Sequence, residues 1–238
     1  MKNYFISAGG FPAKQHVNYA GEIVVRHDMF DDLNEKEVVM AMVFDEKFEN
    51  ANTGIISDMM YEIFTDWYDN GMKLAMEYFS FNLVADFWKH LISSVNNGLH
   101  KVQVEGKDSM GSSFAGIFIV GNEYIAMRAG NIEIYEADDE CRSIFKRNAS
   151  SEYVGRSEKI DIEVVRGICH DSLYTISSSK IINTEAGRKE LIRANAGFDS
   201  AEDEIMKNII DNAGEYIEIN DGDTTDNLLV FIKSISDK

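Results

Sequence analysis

The feature that most constrains this chain is a set of three β-rich runs joined by links too short for a crossover. Residues 114–120, 123–127 and 132–136 read as strands, with only Gly121-Asn122 and Ala129-Gly130-Asn131 as links. A parallel connection needs a dozen residues or more, so these strands are expected to run antiparallel, as the hairpins of a meander. Upstream the period turns helical. Ile55, Ile56, Met59, Met60, Ile63, Phe64 and Trp67 fall three and four apart over residues 54–68, and Asn70-Gly71 reads as a stop. A second helix is expected over residues 73–95, closed by Asn96-Asn97-Gly98. Its Met and aromatic residues read as core rather than as a cofactor pocket.

Before the helices, residues 3–7 and 22–25 read as short strands around a loop at 8–21. Residues 38–44 (VVMAMVF) form a continuous apolar run ending in Asp45-Glu46-Lys47. This is the pattern of a buried strand that delivers an acidic residue at its end. After the meander, residues 160–165 and 172–177 are expected as strands joined around Gly167 and Asp171. Two helices follow, at 184–195 and 201–212, the second capped by Asp199-Ser200-Ala201-Glu202. A last strand, 227–235, comes after a polar loop at 220–226. The order is strand, helix pair, meander, helix pair, strand, with no repeated βαβ unit. It favours an α+β layered sandwich over a doubly wound parallel sheet.

Composition narrows the function classes. There are 23 basic against 41 acidic residues, a net charge of −18, which repels phosphate backbones and anionic lipid. No nucleic-acid or membrane role is therefore expected. Two cysteines, Cys141 and Cys169, make no disulfide framework or Cys/His cluster. The start, MKNYFISAGG, lacks the pattern of a signal peptide, and no apolar run is long enough to span a membrane. A soluble, reduced, cytoplasmic protein is expected. Pro12 is the only proline, so no Pro-rich linker marks a boundary. The histidines His16, His27, His90, His100 and His170 show no metal-ligand spacing, and Asp221, Asp223 and Asp226 lack the closing glutamate of an EF-hand. Ser177-Ser178-Ser179 has no Gly-x-Ser-x-Gly elbow around it.

Five separated segments, in order, resemble one family. Asn18-Tyr19-Ala20-Gly21-Glu22-Ile23-Val24 stands where "NEDAFLV" would be, and Val43-Phe44-Asp45-Glu46-Lys47 where "ADGMGG" or "CDGHGG" would be. Met110-Gly111-Ser112-Ser113 followed by Ala129-Gly130-Asn131-Ile132-Glu133-Ile134-Tyr135 is similar to "GTT … GDSR.Y". The stretch from Asp171 to Ser179 looks like "D.LLLCSDG", and Asp226-Asn227 with the strand after it like "DNITVVVV". The pattern is that of the PPM (PP2C-type) metal-dependent Ser/Thr protein phosphatases. The resemblance covers the whole chain and implies one domain over residues 1–238. It implies a four-layer αββα sandwich, two antiparallel sheets flanked by helix pairs. It also implies a two-metal centre whose bound water attacks phosphorus.

Carried over position by position, the resemblance keeps Asp45 as the bridging carboxylate and Asp226 as the C-terminal one. The glycine that lends a backbone carbonyl is Glu46, and the leaving-group acid of some members is Lys47. The "NED" acids are Tyr19 and Ala20, the "SDG" aspartate is Ser178 with Ser179 after it, and the "GDSR" aspartate is Asn131. The phosphate-clamping arginine falls on Gln15, leaving Lys14 and His16 as phosphate-binding candidates. Metal candidates are Asp45, Asp226 and Glu46, with Glu22 a conceivable replacement ligand. So few carboxylates imply a pseudophosphatase or a severely weakened enzyme, acting as a binding or regulatory module on a phosphoprotein or kinase. No cofactor is expected, weak Mn or Mg binding being allowed. The alternative is a divergent Mn/Mg-dependent phosphatase with a remodelled site. A third reading is a structural α+β protein whose motif matches are chance.

Overall fold

The computed structural model describes residues 2–11, 21–30, 36–47, 54–72, 79–105, 111–146, 152–156, 158–179, 182, 184–197 and 227–236. Their elements are, in chain order, β1 (Lys2–Phe11), β2 (Gly21–Phe30), β3 (Lys36–Lys47), α1 (Ile55–Asp66), α2 (Phe81–Glu105), β4 (Gly111–Val120), β5 (Glu123–Ala129), β6 (Glu133–Ala137), β7 (Cys141–Ser143), β8 (Glu163–Ile168), β9 (Leu173–Ser177), α3 (Glu185–Gly197) and β10 (Asn227–Ser236). They form two five-stranded sheets, one in the order β2-β3-β4-β5-β8 and the other β1-β10-β9-β6-β7. Every strand pairing is antiparallel. This is the expected α+β sandwich.

Strand alternation builds the layers. On β3, Val38, Met40, Met42 and Phe44 join the core beneath α1 and α2, while Val39, Ala41 and Val43 join the core between the sheets. Both faces are covered, which is why the run reads apolar throughout. On the helix side Phe44, Phe64 and Phe114 stack with ring centroids 5.6–5.8 Å apart, and the fully buried Trp88 meets Phe64 edge-on at 5.7 Å. Each such side chain contributes about 1.5–3 kcal/mol of hydrophobic free energy. A third cluster, with Tyr135, Leu191 and Phe231, seats α3 on the outer face of the second sheet.

The structure corrects several expectations. Only β4 and β5 form a hairpin of the predicted meander, because Gly130-Asn131 carries the chain across to the second sheet, where β6 pairs with β7 and β9. Strand 160–165 lies instead at Glu163–Ile168, and β8 and β9 belong to different sheets. The described helix begins at Phe81, where the Ser80 hydroxyl accepts the Asn82 amide at 3.1 Å as a cap, and residues 73–78 of the expected helix lie outside the described residues. The helix also runs through Asn96-Asn97-Gly98. Asn96 is buried and its side-chain oxygen accepts the Gly155 amide at 2.8 Å, so it serves a tertiary contact rather than a stop. The end of α1 widens into a π-helical turn, Trp67–Met72, that takes in Asn70-Gly71. The three-residue β7 was not anticipated. The expected helix at 201–212 and the loop at 220–226 lie outside the described residues.

Candidate functional site

One end of the sandwich gathers the ends of six strands. In the first sheet Asp45 at the end of β3 sits opposite Gly21 of β2 and Ser113 of β4. In the second sheet Ser178 follows β9, and Phe11 of β1 pairs with Asn227 of β10. Gly21 brings the sheets together. A Cβ there would lie 2.4 Å from Leu228 Cδ1 and 2.5 Å from the Phe44 carbonyl oxygen, so only glycine fits. Beside it opens a cleft of about 430 Å³, lined by Ala8, Gly9, Gly10, Gly21, Ile23 and Leu228 among others.

Parity decides which acids reach this end. Asp45 is fully buried and has the parity of Val39, Ala41 and Val43, so it faces the space between the sheets. Glu46 has the parity of Met42 and Phe44 and faces the helix layer. There its Oε2 accepts the backbone amides of Ile56 and Ser57 at 3.1 and 3.2 Å, capping the first turn of α1. Burial pushes its pKa from 4.5 up to about 7, against the pull of those two amides and with a further push from Asp58. Glu22 lies opposite Phe44, so it too faces the helices. Burial and the carboxylate of Asp58 raise its pKa. Glu46 is therefore turned away from the space between the sheets, whereas Glu22, on the helix-facing side of β2, still belongs to the lining of the cleft. In Glu46 the sequence reading missed a helix cap, although its distance of ten residues from Ile56 across a loop left no local signal.

The other positions singled out in the sequence hold hydrogen bonds. The Ser113 hydroxyl donates to Asn131 Oδ1 at 2.6 Å and accepts the Asn131 amide at 3.3 Å. Gly130, at φ 90°, makes this turn, and a Cβ on it would lie 2.6 Å from Ser113 Oγ. Ser178 Oγ accepts the Leu228 amide at 2.9 Å, and the Ser178 amide donates to the Leu228 carbonyl at 3.1 Å, tying β9 to β10. Ser179 is buried, its amide donating to Ser177 Oγ at 3.0 Å. Further across the inter-sheet space, Arg128 lies over the Phe145 ring at 4.4 Å. It donates to Glu163 through Nε and Nη2 at 3.2 and 2.9 Å and pairs with Glu133. Glu163, which shares the face of Arg128, is thus taken. Lys14, Gln15, His16, Tyr19, Ala20 and Asp226, with the side chain of Lys47, lie outside what is described.

The fold is shared with solved phosphatases. A Streptococcus-type neighbour, the S. agalactiae serine/threonine phosphatase, superposes with a TM-score of 0.74 at 12% identity, over 97% of this chain and 99% of that one. PppA of Pseudomonas aeruginosa, a regulatory component of its T6SS, gives 0.69 at 11% identity over 98% of both chains. The catalytic domain of the serine/threonine protein phosphatase PstP, in complex with two manganese ions, gives 0.67 at 11% over 99% and 100%. The chain has the PP2C fold. No protein-family model matches the sequence, and no curated protein matches it.

Two divalent cations need several anionic oxygens around them. At this end of the PP2C-fold chain the described residues supply Asp45, the Asn131 amide and the hydroxyls of Ser113 and Ser178. No three acidic, imidazole or thiol groups among the described residues gather closely enough to hold a metal ion. That donor set does not fit a dinuclear centre. No helix among the described residues is long and apolar enough to cross a membrane.

Proposed function

We propose that this PP2C-fold chain is a pseudophosphatase or severely weakened phosphatase that serves in the cytoplasm as a binding or regulatory module for a phosphoprotein or kinase. One observation carries the reading. Two positions that resemble metal-holding acids carry neutral side chains bonded within the fold, Asn131 to Ser113 and Ser178 to Leu228, and Glu46, at the place of a glycine, is turned to α1. Asp45 is buried on the inter-sheet face, opposite Gly21 of the cleft wall. If Asp226 stands beside it, the pair holds one cation weakly, with water filling the remaining positions. Lys14 and His16 would then meet an anionic phosphate group through charge.

The test is hydrolysis of p-nitrophenyl phosphate in millimolar manganese. The expected result is turnover no greater than that of Asp45→Ala. Manganese-dependent turnover that vanishes in Asp45→Ala overturns the reading. It would favour instead a divergent Mn/Mg-dependent phosphatase acting on phosphoserine and phosphothreonine, the reading that Asp45, buried on the inter-sheet face, keeps open.

A further inference from the structure

Away from the cleft, the α1/α2 pair carries an apolar seam that packs on the core along most of its length and is left open at one end. On α1, Met59, Ile63 and Trp67 recur at four-residue spacing. On α2, Leu83, Phe87 and Leu91 do the same. Met59, Ile63 and Leu91 are partly buried against the core beneath, and Trp67 stacks on Phe87 at 5.9 Å, which joins the two rows. The seam stays open at its crown, where Leu83 is 52% and Phe87 44% exposed. Large apolar side chains exposed together on a helix surface mark interaction sites more often than isolated ones do.

The charges beside the seam select the occupant. Next to the α1 row stand Asp58, Glu62 and Asp66, all exposed and again four apart. Residues 54–72 contain no Lys or Arg. Asp69, on the same stretch, is already paired with Arg26. The α2 border is mixed, with Asp86 against Lys89 and His90. Exposed apolar side chains on one helix beside an exposed acidic row on the next match the two faces of a basic amphipathic helix. We infer that the α1/α2 seam docks a basic amphipathic helix of a partner protein, its apolar residues over Leu83 and Phe87 and its Lys/Arg row along Asp58, Glu62 and Asp66. The inference rests on the binding-module reading and names a partner class for it, at a surface separate from the cleft.

The probe is a fluorescein-labelled synthetic helix with leucines on one face and lysines on the other, titrated with the full chain in physiological salt. Anisotropy is expected to show saturable binding, weakened about tenfold or more by Leu83→Glu and by the double change Glu62→Lys, Asp66→Lys. A peptide of identical composition but scrambled order is expected to bind about tenfold more weakly. Leu83 is half exposed, so Leu83→Glu is expected to leave the unfolding midpoint unchanged; the charge pair tests the same surface without touching the apolar floor. Equal binding of the scrambled peptide, or variants that bind like wild type, overturns the inference. So does a wild-type dimer that Leu83→Glu dissolves, since the occupant is then a second copy. Manganese-dependent hydrolysis measured on the same preparation is a separate result. Turnover there removes the proposed cleft role while leaving docking intact, and failed docking leaves the cleft reading as it was.

Discussion

At the end of the sandwich away from the cleft, Glu136 has both carboxylate oxygens engaged. Tyr174 and His170 meet Oε1 at 2.8 Å each, and Arg142 donates twice to Oε2 at 3.3 and 3.2 Å. Nearby, Glu37 bridges the sheets by accepting the Tyr4 amide at 3.1 Å and meeting His27 at 3.0 Å, and the Tyr4 hydroxyl donates to the Gly121 carbonyl at 2.6 Å. At the cleft end Ser113 and Asn131 bond each other and Ser178 bonds the Leu228 backbone, while Glu133 and Glu163 hold to Arg128. The contrast teaches where charge is kept. Between the sheets a carboxylate persists where several donors converge on it, as Glu136 and Glu163 do. At the cleft, positions that resemble metal ligands carry side chains that satisfy the backbone of the neighbouring strand.

The sharpest test of that contrast is Glu136→Ala. Burial pushes the Glu136 carboxyl upward, but hydrogen bonds from His170, Tyr174 and Arg142 outweigh it and hold the pKa below its ordinary value. Removing it strands the buried Tyr174 hydroxyl, while the half-exposed Arg142 keeps Asp138, so chemical denaturation is expected to show a loss of about 1–3 kcal/mol. With a lowered folded pKa, this contribution is present above the ordinary carboxylate range and fades as pH falls through the folded pKa. Glu46 has the opposite sign. Its folded pKa of about 7 exceeds the ordinary 4.5, so stability falls as pH rises between the two values, by on the order of 3 kcal/mol. Glu46→Gln keeps an oxygen for the α1 amides and cannot ionise. Thermal melts across that window are expected to lose the downward slope; a slope unchanged in the variant would remove Glu46 as its source.

The two regions also differ in how far the sequence disclosed them. The period of residues 54–68 and the apolar run at 38–44 located α1 and β3, because burial on one or both faces writes itself into spacing. The link at 129–131 read as a hairpin. Nothing in Ala129-Gly130-Asn131 reveals that Asn131 is caught by Ser113 eighteen residues earlier and that the chain changes sheet there. Asn96-Asn97-Gly98 looked like a stop for the same reason, since the Gly155 amide that Asn96 receives is 59 residues away. The resemblance singled out Asp45, Asn131 and Ser178, which lie at one end of the sandwich. It could not give the side-chain direction of Glu22 and Glu46, which follows from register with Phe44. Arg128 and its two glutamates come from three strands, and no local pattern announces them.

Smaller effects sharpen the cleft side. Gly21→Ala drives a methyl into Leu228 Cδ1 and the Phe44 carbonyl. The leucine can rotate but the carbonyl cannot, so a cost of about 1–3 kcal/mol is expected in urea unfolding. A variant as stable as wild type would mean that the sheets do not approach this closely at the cleft.

Ser178 gives the smallest change in stability and the most direct test of the proposed weakened site. Ser178→Ala deprives the buried Leu228 amide of its acceptor, a loss of about 1–2 kcal/mol. Ser178→Asp replaces the hydroxyl with a carboxylate that can still accept that amide through one oxygen and present the other to the cleft. Alone it adds one anion near Asp45. Combined with Tyr19→Glu, the change at the position that the resemblance assigns to the first acid, manganese affinity measured by calorimetry is expected to rise about 10–100-fold over wild type. A gain in the double variant with none in Ser178→Ala assigns the missing affinity to charge rather than to loosening of β10. Heats of mixing as flat as those of wild type would mean that position 178 does not face Asp45, and that the serine is there for the β9–β10 junction alone.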